Sequence, residues 1–162
     1  MIRQVWRGAA AGAAGTTALN AVTYLDMVMR GRPASTTPER GVEQLAREVR
    51  VEIPGDEDTR PNRVSGLGAL TGIGTGVGVG ALYGMVRGLG VRLPVWAGAL
   101  LASGGAMAAA NVPMTAQRIV DPTTWSPADW LADAIPHAAY GIVTAATYAT
   151  SEKRRPRRNR RS

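Results

Sequence analysis

The stretch "GLGALTGIGTGVGVGALYG", residues 66–84, holds eight glycines in nineteen residues and no charge. Glycine inside a water-exposed helix costs about 1 kcal/mol against alanine, so an ordinary solvated helix is a poor host for this run. Gly68, Gly72, Gly76, Gly80 and Gly84 recur at every fourth position and so fall along one helix face. In lipid no hydrophobic drive pulls helices together, and small residues at that spacing allow the close backbone approach that replaces it. Matching rows run through Gly8, Gly12 and Thr16, through Gly98, Ala102, Ala106 and Ala110, and through Gly141, Ala145 and Ala149. The pattern predicts an all-α bundle packed through small-residue, glycine-zipper faces, and the same rows offer a surface for a homo-oligomer.

Other uses of the glycines fit less well. A dinucleotide-binding turn at Gly76, Gly78 and Ala81 needs a strand before it and an acidic residue about 20 residues on, yet no Asp or Glu occurs from 59 to 120. Residues 72–80 resemble the first helix of ATP synthase rotor-ring subunits, but that family needs a carboxylate on the following helix, and 93–112 has none. A flexible linker is disfavoured by the Val, Leu, Ile and Tyr between the glycines.

Span lengths carry the argument further. Twenty-three uncharged residues separate Arg63 from Arg87, and twenty-five separate Arg92 from Arg118. A bilayer core needs about 20. A first segment at 7–29 carries Asp26, and a last at 127–150 carries Asp133 and His137. The sequence therefore predicts an integral membrane bundle of four transmembrane helices at 7–29, 64–86, 93–112 and 127–150, with a polar loop at 30–63, a loop at 113–126 and a basic tail at 151–162. Trp6 and Tyr24 bracket the first span, and Trp130 and Tyr148 the fourth, each pair about 27 Å apart along a helix. Tyr83 closes the second and Trp96 opens the third, as interfacial aromatics do, whereas Tyr140 sits mid-span. A cleaved N-terminal signal is the alternative for the first segment, although "AAAGAAGTTA" lacks a leucine-rich centre. Soluble, buried helices are the alternative for all four.

The formal charge of +7 equals the basic count of the tail: Lys153, Arg154, Arg155, Arg157, Arg158, Arg160 and Arg161. Without an aromatic to stack bases, and directly following a span, this tail points to anionic headgroups and topology rather than nucleic acid. With both termini cytoplasmic, eleven basic residues lie inside against eight outside, in accord with the positive-inside rule. In the 30–63 loop, Thr36, Pro38 and Glu39 form a capping-box pattern. Val42, Leu45, Ala46 and Val49 then repeat at helical spacing, with Glu43 placed to pair with Arg47. An amphipathic helix over about 38–50 is predicted, as a lid, a partner site or a membrane-surface element.

There is no Cys and one His, which removes disulfides, thiolate chemistry and multi-histidine metal sites. No nucleophile arrangement, phosphate loop or metal cluster suggests an enzyme or a cofactor. The polar residues of interest are Asn20, Asp26, Asn111, Asp133 and His137, which the four-span arrangement gathers in the outer half of the bundle. Asp133 and His137 stand one turn apart, with Pro136 freeing the carbonyl of residue 132. They suit either structural hydrogen bonding or proton and solute handling, while Asp26 is placed to pair with Arg30.

The motifs "GAAAGAAGTTALN" and "PHAAYG", through Gly12, Gly15, Thr16, His137, Tyr140 and Gly141, resemble the opening and closing helices of small four-helix bacterial inner-membrane proteins of the YagU type. The resemblance covers about a fifth of the chain and implies a bacterial inner-membrane location with a link to acid resistance. The arginine-rich loop and basic tail depart from that pattern.

Overall fold

The computed structural model describes residues 1–153. They form five α-helices, α1 (Ile2–Arg30), α2 (Thr37–Glu48), α3 (Thr59–Gly88), α4 (Val95–Ala116) and α5 (Pro127–Lys153), with a short 3-10 turn at Pro122–Thr124. No strand occurs among the described residues. Local chemistry sets the ends. Gly31 closes α1 in the left-handed conformation at φ 62°, which a Cβ would oppose. Asp56 Oδ1 accepts from the Thr59 backbone N–H at 2.8 Å where α3 begins. Ser126 and Asp129 form a reciprocal box at the start of α5, with Ser126 N–H donating to Asp129 Oδ2 at 2.9 Å and Asp129 N–H to Ser126 Oγ at 3.2 Å.

The pairings fix the topology. α1 runs antiparallel to α3, with Gly8 against Gly84 and Gly12 against Gly80. It also runs antiparallel to α5, with Gly15 against Tyr140 and Gln4 bonded to Tyr148. α4 is antiparallel to α5, through Gly141 against Ser103 and Asn111 bonded to Asp133, and to α3, through Tyr83 against Gly98. Thus α1 and α4 point one way and α3 and α5 the other. The N-terminus, the α3–α4 turn and the end of α5 share one end of the bundle. The amphipathic α2 crosses the opposite end, packed on α3 and touching Met114 of α4 through Gly41.

The interior is made of small residues and tyrosines. Gly8, Gly12, Gly76, Gly80, Ala102 and Ala106 are buried, together with Tyr83, Tyr140 and Tyr148. A Cβ added at Gly80 would lie 2.5 Å from the Gly12 Cα, so α1 and α3 meet backbone to backbone. Leu70, Leu82, Trp96, Leu100, Leu131 and Ile142 face outward.

Several expectations change. Two helices, α3 and α4, are long and apolar enough to cross a membrane, with mean hydropathy of 1.4 and 1.3 in their best windows. α1 and α5 fall short because Gly, Thr and Tyr, together with Asn20 in α1 and with Asp133, Pro136 and His137 in α5, offset the Ala, Leu, Ile and Val. The helices overrun the expected spans: α3 starts at Thr59 rather than 64, and α4 runs to Ala116, taking in Pro113. α2 ends at Glu48, short of 50. The glycine row of α3 is not one continuous face. Gly76, Gly80 and Gly84 meet α1 and Gly68 meets Pro38 of α2, but Gly72 is exposed with nothing within 4 Å of an added Cβ. The paired rows close within one chain, so Gly76, Gly80 and Gly84 are not available to a second copy. Tyr83 and Tyr148 are core residues, not interfacial ones, at 5% and 0% exposure. Thr36 makes no side-chain cap; Ser35 Oγ instead accepts from the Thr37 N–H at 3.2 Å. Glu43 pairs with Arg60 at 2.8 Å rather than with Arg47, which turns to Gln44. The tail residues Arg154, Arg155, Arg157, Arg158, Arg160 and Arg161 lie outside the described residues.

Candidate functional site

The polar residues of the bundle half capped by α2 fall into three separate sets. Asn111, on α4, donates from Nδ2 to Asp133 Oδ2 at 2.8 Å. One turn further along α5, His137 Nδ1 lies 2.7 Å from the Asp133 backbone carbonyl and 3.5 Å from its Oδ1. A carbonyl only accepts, so Nδ1 carries a proton and donates to it. Pro136, buried beside His137, has no N–H for the carbonyl of residue 132, yet α5 continues through it unbroken. Asn111, Asp133 and His137 therefore form one chain of contacts joining α4 to α5, with the side chains of Asp133 and His137 22% and 11% exposed.

Asp26 belongs elsewhere. Its Oδ2 accepts from Arg32 Nε at 2.5 Å and its Oδ1 lies 3.7 Å from Arg30, so its charge is answered by the last residue of α1 and the loop that follows. Asn20 is half-buried and makes no side-chain hydrogen bond among the described residues. The expected five-residue cluster is thus a three-residue chain, a separate ion pair and an isolated amide. All five do share the half of the bundle away from the N-terminus and the end of α5, because the antiparallel pairing places them there.

Asn111 also borders a surface groove of about 250 Å³ lined by Gly104, Met107, Ala108, Pro122, Trp125 and Trp130. The two tryptophans stack edge to face with centroids 5.0 Å apart. No group of three or more metal-ligating side chains occurs among the described residues.

Two features escaped sequence reading. Tyr140 reaches across the bundle from α5 and donates its hydroxyl to the Gly76 carbonyl at 2.6 Å. Its mid-span position was the available signal, since a buried phenol needs an acceptor. At the termini end, Arg87 Nη2 donates to Glu152 Oε2 at 2.7 Å and its cation stands 5.6 Å over the Tyr148 ring. These residues are sixty-five positions apart, and nothing local in the sequence couples them.

Compared with known family models, curated proteins and solved structures, the chain matches none. The six residues that carry the YagU-type resemblance are all buried here, and Gly15 lies directly against Tyr140. In this chain their common property is helix packing.

Proposed function

We propose that this chain is a multi-pass integral membrane protein in which α1, α3, α4 and α5 all cross the bilayer, acting as a structural or stress-related membrane component without enzymatic activity or cofactor. The observation that carries this reading is the radial inversion of the bundle: glycine, alanine and hydroxyl-anchored tyrosine inside, leucine, isoleucine and tryptophan outside. In water the reverse holds, and large continuous apolar surface drives association. In lipid such a surface is matched to its surroundings, and the glycine contacts act as a zipper. Trp6 and Trp96 at one end, and Tyr24 and Trp130 at the other, project outward and mark two levels suited to the interfaces. The even number of crossings puts both termini on one side, and the charge of the tail favours the cytoplasmic face of a bacterial inner membrane. Topology reporters fused at residue 55 and at the C-terminus test this. A periplasm-only reporter should work at 55 and be silent at the tail; activity at the tail overturns the orientation.

The contact chain of Asn111, Asp133 and His137 favours a second reading, a small proton- or solute-handling protein. A carboxylate beside an imidazole in a low-dielectric bundle is the minimum needed to bind or pass a proton. Asp133→Asn and His137→Gln should then abolish a pH-dependent flux while abundance is kept. If both variants only lower abundance, the residues serve packing and the structural reading stands.

A further inference from the structure

The bundle end that holds the N-terminus and the end of α5 is unevenly charged: Arg3, Arg7, Arg87 and Arg92 stand against Glu152. Arg87 is answered at both Nη atoms, by Glu152 and by the Leu93 carbonyl, to which Nη1 donates at 2.8 Å, although its Nε is buried without a partner. Arg7 is not. Its Nη1 is buried and has no hydrogen-bond partner, and no ion pair among the described residues includes it. Glu152 Oε2 holds Arg87, and Gln4 Oε1 takes the Tyr148 hydroxyl at 3.0 Å. A guanidinium stays protonated, and a buried charged N–H without an acceptor is strongly unfavourable. An acceptor for that N–H has to come from outside the described side chains, and an anion answers the charge as well.

The depth of Arg7 narrows which anion. Trp6 precedes it, and the helix pairings bring Trp6, Tyr83, Trp96 and Tyr148 to one level of the bundle, with Trp6 and Trp96 pointing outward at 70% and 67% exposure. Outward tryptophans sit at the headgroup layer, where phosphate oxygens are the abundant acceptors. The guanidinium fork matches two of those oxygens at once. We propose that Arg7 anchors a phosphate-bearing anion at the termini end of the bundle, the phosphodiester of an anionic lipid when the protein is in its membrane. The lipid source rests on the membrane reading above; the phosphate chemistry does not.

The test is thermal unfolding of the full chain in zwitterionic detergent, titrated with phosphatidylglycerol, phosphatidylcholine or inorganic phosphate. Phosphatidylglycerol should raise the Tm of the wild type and of Arg92→Gln alike, the latter being an exposed arginine at the same end. Arg7→Gln should lose most of that rise, and Arg7→Lys should need at least about threefold more lipid for half-saturation because it keeps the charge and loses the fork. Phosphatidylcholine should do little. An Arg7-dependent rise with inorganic phosphate alone assigns the site to free phosphate and sustains the proposal. An unchanged response in Arg7→Gln overturns it, by assigning the lipid effect to the tail. If Arg7→Gln does not fold, an unchanged half-saturation in Arg7→Lys overturns it equally. A chain that stays dispersed without detergent removes the membrane reading, and the inorganic phosphate titration of wild type against Arg7→Lys then decides alone.

Discussion

Tyr140 ties three helices with one residue. It is fully buried on α5, lies against Gly15 of α1 and donates to the Gly76 carbonyl of α3. Tyr140→Phe keeps the ring and removes the bond, so a loss of about 0.5–1.5 kcal/mol is expected in reversible unfolding. A loss near zero would mean that ring packing alone holds the centre. At the solvated end, the Thr59 hydroxyl, and then its backbone N–H, hold the Asp56 carboxyl below its ordinary value of 3.8. Because the folded value is depressed, this cap supports the start of α3 above about pH 4 and is lost as pH falls through the folded value. Thr59→Val should move the Asp56 titration upward toward 3.8, as followed by carbon NMR of the carboxyl. Asp121, held down mainly by the Thr123 hydroxyl, should respond to Thr123→Val in the same direction.

Among the elements, α3 separates two kinds of glycine that its sequence presents as equivalent. Four residues of α-helix turn through about 400°, so a row spaced by four drifts about 40° per step and cannot face one partner over its whole length. Gly84, Gly80 and Gly76 meet α1, Gly68 meets α2, and Gly72 falls in the gap between them. The existence of a packing face was legible from the spacing; its division between partners was not, because that depends on where α1 and α2 lie in space. The same limit applies to side chains. The level of each aromatic along its helix was readable, whereas the inward turn of Tyr83 and Tyr148 was not, since an amphipathic ring suits both an interface and a hydrogen-bonded core. Glu43 likewise faces Arg60, seventeen residues away, rather than its helical neighbour. Gly80→Leu and Gly12→Leu, which force a side chain into opposing backbone, should cost about 3 kcal/mol or more. Gly72→Leu and Gly78→Leu, with open space at the added Cβ, should be near neutral by the same unfolding measurement. Equal losses at all four positions would sink the division drawn here.

For the whole molecule, the question is which solvent touches the outside of the bundle. The apolar residues facing outward at mid-height include Ile73 on α3, Leu101 on α4 and Ile142 on α5, at 47%, 47% and 59% exposure. In water these positions would be among the easiest for a reagent to reach. In a bilayer they would be sealed by acyl chains, although nothing among the described residues covers them fully. The chain has no cysteine, so single cysteines can report each position without background. Ile73→Cys, Leu101→Cys and Ile142→Cys, placed one at a time in cell membranes, should resist a charged maleimide and react after detergent denaturation. A cysteine at Glu57, in the exposed loop before α3, should react at once wherever the reagent reaches that side. The contrast matters because α1 and α5 do not reach the hydropathy of a membrane span on their own. Protection of Ile142 would place α5 in lipid through its packing against α1 and α4, with its small, polar and tyrosine face turned inward. Labelling of Ile142 alongside protection of Ile73 and Leu101 would confine the bilayer to α3 and α4 and leave α1 and α5 as a surface pair.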